Sequence, residues 1–250
     1  MSRVSRKKSK TGIYHIMLRG IDKRNIFLDN EDRRKFIEKL KIARETAGFR
    51  LHGYCLMDNH VHLLIEENEE IGTSIKRITV GYVQWHNNKH ERTGHLFQNR
   101  YLSEPVETDA YLLTVLRYIH QNPVKAKITS IPLDYYWSSY NHYISAYQNK
   151  ISYVDTDMIK AYFKDQETYE RFMNTQNIDE CLEYNHNLKI TDSQLKALLE
   201  KEINSNEINE KSRAESNKII KDVYKQTGAS IRQLERVTGI SKAVIEKALQ

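Results

Sequence analysis

The sequence predicts an α+β protein whose N-terminal part is a ferredoxin-like sheet with a split βαβ arrangement. Short runs of alternating apolar and polar residues, typical of strands, are interspersed with longer runs in which apolar residues recur every three or four positions, typical of helices. Over residues 11–107 these runs follow the order strand, helix, strand, strand, helix, strand, which is the order of that fold. From about residue 148 onward only helical patterns occur.

The elements of the sheet part are predicted one by one from these patterns. The first strand, at 11–20, places Tyr14, Ile16 and Leu18 on one face. Two strand-like runs, at 50–57 and 60–66, are separated only by Asp58 and Asn59, which favours a hairpin. The other elements are helices at 32–47 and 73–88, a strand at 100–107, and a helix at 109–122 that Pro123 is expected to end.

The C-terminal part is predicted to be all-α and to finish in a helix-turn-helix at 216–250. Ser230 precedes a short helical pattern with Gln233 three residues later, which is the spacing of a capping box. Gly239 separates that pattern from a second short helix, as in DNA-binding helix-turn-helix modules. A generic three-helix bundle is the alternative interpretation.

The distribution of charge supports three segments. Residues 1–148 contain 23 Lys and Arg against 16 Asp and Glu, residues 149–210 contain 7 against 13, and residues 211–250 contain 9 against 4. Two basic blocks around an acidic one indicate two surfaces for a polyanion such as DNA, although ordinary solvated charge would look the same. We therefore predict a domain at 1–148 that contains the sheet, a helical connector at 149–215 and a DNA-binding helix-turn-helix module at 216–250.

Composition excludes several classes of protein. No apolar run approaches the roughly 20 residues of a membrane span, and the basic start of the chain lacks the apolar stretch of a signal peptide, so a cytoplasmic location is expected. Cys55 and Cys181 are too few for a disulfide framework or a cysteine-based zinc site.

Two short patterns carry candidate chemistry. His60 and His62 are two residues apart on a predicted strand, so both imidazoles project from one face and can supply two metal ligands. Tyr118 and Asn122 are four apart on a predicted helix and share a face one turn apart. Either pattern alone also fits ordinary structural residues. Asp58, just before the pair, is interpreted as a turn residue, with a hydrogen bond to His60 as the alternative.

Longer segments resemble the REP-associated tyrosine transposases, single-tyrosine members of the HUH class. The resemblance covers roughly residues 3–147, with the motifs in the order and spacing of the family. It rests on GIYHIMLRG at 12–20, YCLMDNHVHLL at 54–64, GHLFQNRY at 94–101, RYIHQNPVKA at 117–126 and WSSY at 137–140.

The resemblance implies both a fold and a mechanism. It implies the ferredoxin-like sheet of HUH nucleases, with His60, His62 and Asn122 holding Mg²⁺ or Mn²⁺. Tyr118 corresponds to the nucleophile that attacks a DNA phosphate and forms a 5′-phosphotyrosine. The expected partner is single-stranded, hairpin-forming repeat DNA, cut beside the hairpin. The resemblance does not extend to the C-terminal module, which on its local pattern alone could bind flanking duplex DNA.

Further expectations concern DNA contacts and rival functions. Candidate phosphate contacts are Arg19, Lys23, Arg24 and Arg100. The main alternative is a DNA-binding regulator with the same fold that does not cut. A replication initiator or relaxase is a third class, but those often carry two tyrosines or a helicase module, and the sequence contains no Gly-rich phosphate loop. A monomer and a homodimer both remain open.

Overall fold

The protein is described by a computed structural model that covers residues 6–175, 181–182, 192–202, 213–227 and 229–249. The chain divides into two compact units, Met1–Glu183 and Tyr184–Gln250. The first unit contains the predicted sheet, and the second contains only helices among its described residues.

A four-stranded antiparallel sheet forms the centre of the first unit. Its strands are β1 (Ile13–Arg19), β2 (Arg50–Met57), β3 (His60–Glu66) and β4 (Leu102–Pro105). They lie in the order β2-β3-β1-β4, and each neighbouring pair is antiparallel. This is the strand order of the ferredoxin-like fold and confirms the predicted fold class. The hairpin is also confirmed, because Met57 pairs with His60 across Asp58 and Asn59.

Two long helices, α1 (Asn30–Ala47) and α2 (Ile71–Lys89), connect the strands and pack against each other. Asp29 caps α1 in a reciprocal capping box with Asp32, and Gly48 ends the helix with φ of 70°. The aromatic rings of Phe36 in α1, Tyr82 in α2 and Phe27 in the loop before α1 form edge-on and tilted contacts with one another.

The helix α3 (Asp109–Lys125) packs against β2 and β3. A Cβ on Gly53 of β2 would lie 2.6 Å from Leu116 of α3, so the absence of a side chain permits this close approach. The expectation that Pro123 ends this helix is wrong. Pro123 lies inside the last turn, where it removes only one helical hydrogen bond, and Ala126 still donates to the carbonyl of Asn122 at 2.9 Å.

The free edge of β2 is covered by the segment that follows α3. The backbone N–H of Leu56 donates to Trp137 O, and that of Ser139 donates to Tyr54 O, each at 2.9 Å. Three short helices come next: α4 (Tyr140–Tyr147), α5 (Asp157–Lys160) and α6 (Gln166–Asn174).

The first unit extends beyond residue 148, where the sequence analysis placed the start of a connector. Side chains from the stretch 149–175 are buried in the same core as the sheet: Val154, Ile159, Tyr169 and Met173. Gln121 of α3 donates to the carbonyls of Met173 and Thr175 at 2.7 and 2.8 Å, which fastens this stretch to α3. The rest of the predicted connector lies largely outside the described residues, at 176–180, 183–191 and 203–212.

The second unit contains α7 (Asp192–Glu202), α8 (Arg213–Thr227), α9 (Ile231–Thr238) and α10 (Lys242–Leu249). Ser230 caps α9 by accepting from the N–H of Gln233, and Gly239 ends it with φ of 72°. A separate core joins the helices: Leu195, Leu199, Ile220, Val223, Leu234 and Ile245. Two short helices thus flank a glycine turn where the helix-turn-helix was predicted, while its DNA-binding role stays a prediction.

Within the described part of the chain, no helix combines the length and apolar character that crossing a membrane requires.

Candidate active site

His60 and His62 open the central strand β3 and point to the face of the sheet that packs against α3. Their rings are in contact, with centroids 5.0 Å apart and planes nearly perpendicular. His62 is fully buried, whereas His60 is partly exposed at the start of the strand. The two rings therefore lie on one face of the sheet, as the alternation of side chains along a strand predicted.

The helix α3 brings Tyr118 and Asn122 to the same place. Asn122 Oδ1 lies 3.5 Å from His60 Nε2, and Asn122 Nδ2 donates to the carbonyl of Tyr118 at 2.9 Å. The Tyr118 ring meets the His62 ring edge-on, with centroids 5.5 Å apart. The structure thus brings together all four residues predicted for the catalytic and metal-binding roles.

Sequence reasoning missed His15, which contacts both His62 and Tyr118. His15 Nε2 and His62 Nδ1 are 2.9 Å apart, and the His15 ring lies 5.9 Å from that of Tyr118. Both histidines are fully buried, and burial lowers the pKa of His15 to about 3 and the pKa of His62 well below its usual value. The signal for His15 was its position on the face of β1 opposite Tyr14, Ile16 and Leu18, on a strand that the ferredoxin order places beside β3.

The hairpin turn orients His60 through Asn59. Asn59 Oδ1 lies 2.7 Å from His60 Nδ1, so the other ring nitrogen, Nε2, is directed toward Asn122. Asp58 instead forms an ion pair with Arg33, and its carbonyl accepts from the N–H groups of Ile26 and Phe27. Asp58 is therefore the turn residue that the sequence analysis favoured, and Asn59 makes the contact that was considered for Asp58.

The side chains of this site have the chemistry of a divalent-metal site. His62 Nε2 is buried and has no hydrogen-bond partner among the described residues, while Nδ1 of the same ring is occupied by His15. A histidine that ligates a metal usually does so through one ring nitrogen while the other ring nitrogen is hydrogen-bonded. His62 has this arrangement, with Nδ1 hydrogen-bonded and Nε2 available. Two imidazole nitrogens and the amide oxygen of Asn122 would supply three ligands.

The predicted phosphate contacts fall into two sets. Arg19 is the ladder partner of His60, and Lys23 lies in the adjoining loop, where its carbonyl accepts from Asn59 Nδ2 at 3.2 Å. Arg24 is exposed in the same loop. Arg100 instead lines a groove of about 550 Å³ beside β4, together with Arg6 and Tyr101.

Three other tyrosines in or near α3 and α4 make different contacts. The Tyr111 hydroxyl donates to Glu104 at 2.7 Å, and Tyr136 is 76% exposed. Tyr140 packs against His120 and Tyr169. Tyr118 alone of these four has a ring contact with His62 among those described.

The four-stranded antiparallel sheet with its packed helices matches the fold of HUH transposases. Residues 8–122 match the family model described as "Transposase IS200 like". The match covers this part of the chain and supports its assignment to the REP-associated tyrosine transposases.

Solved structures that are similar to the chain include the following two. One is a REP-associated tyrosine transposase bound to a REP hairpin, with 15% identity and a TM-score of 0.50 over 58% of this chain and 86% of that one. The other is a candidate transposase from Deinococcus radiodurans, with 16% identity and a TM-score of 0.35 over 48% of this chain and 96% of that one. The first likeness shows the fold. No curated protein matched the chain.

Proposed function

We propose that this protein is a metal-dependent endonuclease and strand transferase for single-stranded DNA, acting beside hairpin-forming repeats through a 5′-phosphotyrosine. The observation that best supports this proposal is a cluster of four side chains where one end of β3 meets one face of α3. Its members are His60, His62, Tyr118 and Asn122. The match of residues 8–122 to the family model supports a transposase role, and this cluster supplies the residues that the chemistry requires.

Tyr118 is the nucleophile in this proposal. Its hydroxyl oxygen attacks the scissile phosphorus, and the bond from phosphorus to the 3′ oxygen breaks. The tyrosine proton passes to solvent, and the departing strand takes up a proton to become a free 3′-OH. The phosphodiester is kept as a phosphotyrosine ester, so attack by another 3′-OH can reverse the step and join a new strand.

His60, His62 and Asn122 would hold the divalent ion. Mg²⁺ or Mn²⁺ bound there would polarise the scissile phosphate and offset negative charge in the transition state. Two imidazoles move the preference from Mg²⁺ toward Mn²⁺, since Mg²⁺ favours oxygen ligands. His15 and Asn59 each occupy one nitrogen of a ligating ring and so fix the direction of the other.

Lys125 adds a positive charge beside the nucleophile. Its Nζ lies 4.5 Å from the centre of the Tyr118 ring, one helical turn after Asn122 on α3. A cation at this position favours the anionic form of a phenol and attracts the DNA phosphate. Arg19 and the loop with Lys23 and Arg24 extend this positive surface from the start of β3.

The DNA partner is proposed to be a hairpin with an adjoining single strand. The similar solved transposase is bound to a REP hairpin, and this chain has two sets of basic residues on its sheet unit. The helices α9 and α10 are proposed to bind duplex DNA that flanks the cleavage site, as the basic charge of residues 211–250 favours.

The test is covalent capture of the cut strand. Single-stranded hairpin oligonucleotides of varied sequence, with flanking single strands and a 3′ label, are incubated with the protein and Mn²⁺. The wild-type protein should yield a labelled protein–DNA adduct that resists denaturation, and Tyr118→Phe should abolish it. Tyr111→Phe is the matched control, because it removes a tyrosine hydroxyl of the same unit outside the cluster, and it should leave the adduct in place.

The rival function, a regulator that binds DNA without cutting, predicts a different result. In that case the wild-type protein would bind hairpin DNA but form no adduct with any oligonucleotide. An adduct that persists in Tyr118→Phe would instead assign the chemistry to another residue and overturn the role of Tyr118.

A further inference from the structure

A second group of metal-ligating side chains lies between α1 and α2. Asp32 is in the first turn of α1, and His86 and His90 are one turn apart at the end of α2. One ligand atom from each of the three lies within 4.8 Å of the others. The histidine pair of β3 faces α3, so this group is separate from the candidate active site.

His86 is the observation that points to a ligand. The residue is fully buried, and neither ring nitrogen has a hydrogen-bond partner among the described residues. Buried polar groups are nearly always satisfied, because leaving one unpaired forfeits its hydration without compensation. A neutral imidazole carries one lone pair, and that lone pair can be satisfied by a metal ion.

The surroundings are negative enough for a divalent cation. Lys89 Nζ contacts three carboxylates at once, Asp29 at 2.7 Å, Glu31 at 2.9 Å and Asp32 at 3.0 Å. Three carboxylates thus surround this ammonium, and Arg92 is a second cation that acts on His86. An ion bound to Asp32 would displace Lys89 from that carboxylate, and Lys89 could still form ion pairs with Asp29 and Glu31.

We propose that Asp32, His86 and His90 form a structural Zn²⁺ site that joins α1 to α2. Two imidazoles and one carboxylate are a ligand set that Zn²⁺ uses, with a fourth position left for water. Ligand atoms around a tetrahedral zinc lie roughly 3.3 Å apart. His90 Nε2 is 2.9 Å from Asp32 Oδ1, so the two groups now share a hydrogen bond where both would bind the ion.

The proposed site would also fix the loop that precedes α1. Asp32 Oδ2 accepts from the backbone N–H of Leu28 at 2.7 Å, and the Tyr82 hydroxyl of α2 donates to the carbonyl of Ile26. This loop follows Lys23 and Arg24, two of the predicted DNA contacts. The ion therefore stabilises a segment next to the DNA-binding surface without entering the cleavage chemistry.

The test uses the full chain with His60→Ala and His62→Ala, which removes the histidines of the candidate active site. The protein is stripped with a chelator, given Zn²⁺ alone, desalted and analysed for bound metal and thermal unfolding. About one Zn²⁺ per chain should be retained, and the unfolding temperature should rise because the ion binds only the folded chain. Adding His86→Gln should reduce the retained metal to near zero and abolish the rise.

Two further variants on that background make the result decisive. His95→Gln removes an exposed histidine outside the cluster and should retain the metal. His90→Gln changes a more exposed ligand and should lose it, which covers the case that His86→Gln fails to fold. Retention that survives both ligand substitutions, or no retention by the parent chain, would overturn the site. Neither result depends on whether Tyr118 cleaves DNA.

Discussion

At the scale of single residues, the contact between His15 and His62 determines which nitrogen can bind a metal. The two nitrogens are 2.9 Å apart, so one ring must donate and the other accept. If His62 donates through Nδ1, its buried Nε2 keeps a lone pair for the ion. If His15 donates instead, Nε2 of His62 carries the proton and cannot ligate. We therefore propose His15 as a positioning residue that acts through His62.

Replacing His15 should weaken metal binding more than it disturbs the fold. His15→Leu removes the acceptor for His62 Nδ1. We therefore expect the Mn²⁺ affinity of the candidate active site to fall about 10–100-fold, which is the usual effect of replacing a residue that hydrogen-bonds to a metal ligand. Mn²⁺ titrations that follow adduct formation would measure the change. Excess Mn²⁺ should restore much of the adduct.

His15→Gln is the conservative variant for this prediction. Its amide oxygen can still accept from His62, so it should retain more affinity than His15→Leu. Equal Mn²⁺ dependence of His15→Leu and wild type would show that His15 only fills the core.

At the scale of elements, residue spacing predicts local features well, but it predicts contacts between distant segments of the chain poorly. The strand and helix patterns predicted the order of the elements along the chain, the hairpin and the shared face of His60 and His62, because each depends on a few neighbouring residues. The contact of His15 with His62 depends on β1 lying beside β3. The packing of 149–175 on α3 depends on Gln121 and on rings such as Tyr169 far along the chain. These long-range contacts leave no local pattern.

The helices α9 and α10 provide a prediction at this scale. Lys242 and Lys247 are exposed on α10, and the side chains of Ile245 and Ala248 are buried beneath them. Replacing both lysines with alanine should weaken binding to a hairpin with a duplex flank by about tenfold, because each lost phosphate contact lowers affinity. Binding to the hairpin alone should not change.

Fluorescence anisotropy with the two oligonucleotides would measure both affinities. The second core contains neither lysine side chain, so thermal unfolding should be nearly unaffected. Equal loss on both DNAs would refute a separate role for these helices, and no loss on either would leave them as a structural bundle.

At the scale of the whole molecule, buried neutral histidines connect folding to pH. Burial lowers the pKa of His15 and His120 to about 3 and that of His142 to about 4, below the ordinary value of 6.5. The unfolded chain gains protons at these groups as the pH falls through about 6.5, while the folded chain does not. The contribution of these neutral histidines to the free energy of unfolding is therefore fully present above about pH 6.5 and is lost progressively as the pH falls toward about 4.

His142 allows a test of this effect outside the candidate active site, because the hydrogen bonds described for its ring are to hydroxyl groups. Its ring meets the hydroxyl of Tyr54 at 3.2 Å and that of Ser152 at 2.9 Å. His142→Gln can keep these contacts without titrating, so its unfolding free energy should decline less than that of wild type between pH 7 and about pH 4.5, by at most about 3 kcal/mol. Urea unfolding at both pH values would measure the difference, with the exposed His95→Gln as a control that should follow wild type. The same decline in His142→Gln and wild type would show that His142 takes up its proton equally in the folded and unfolded chain.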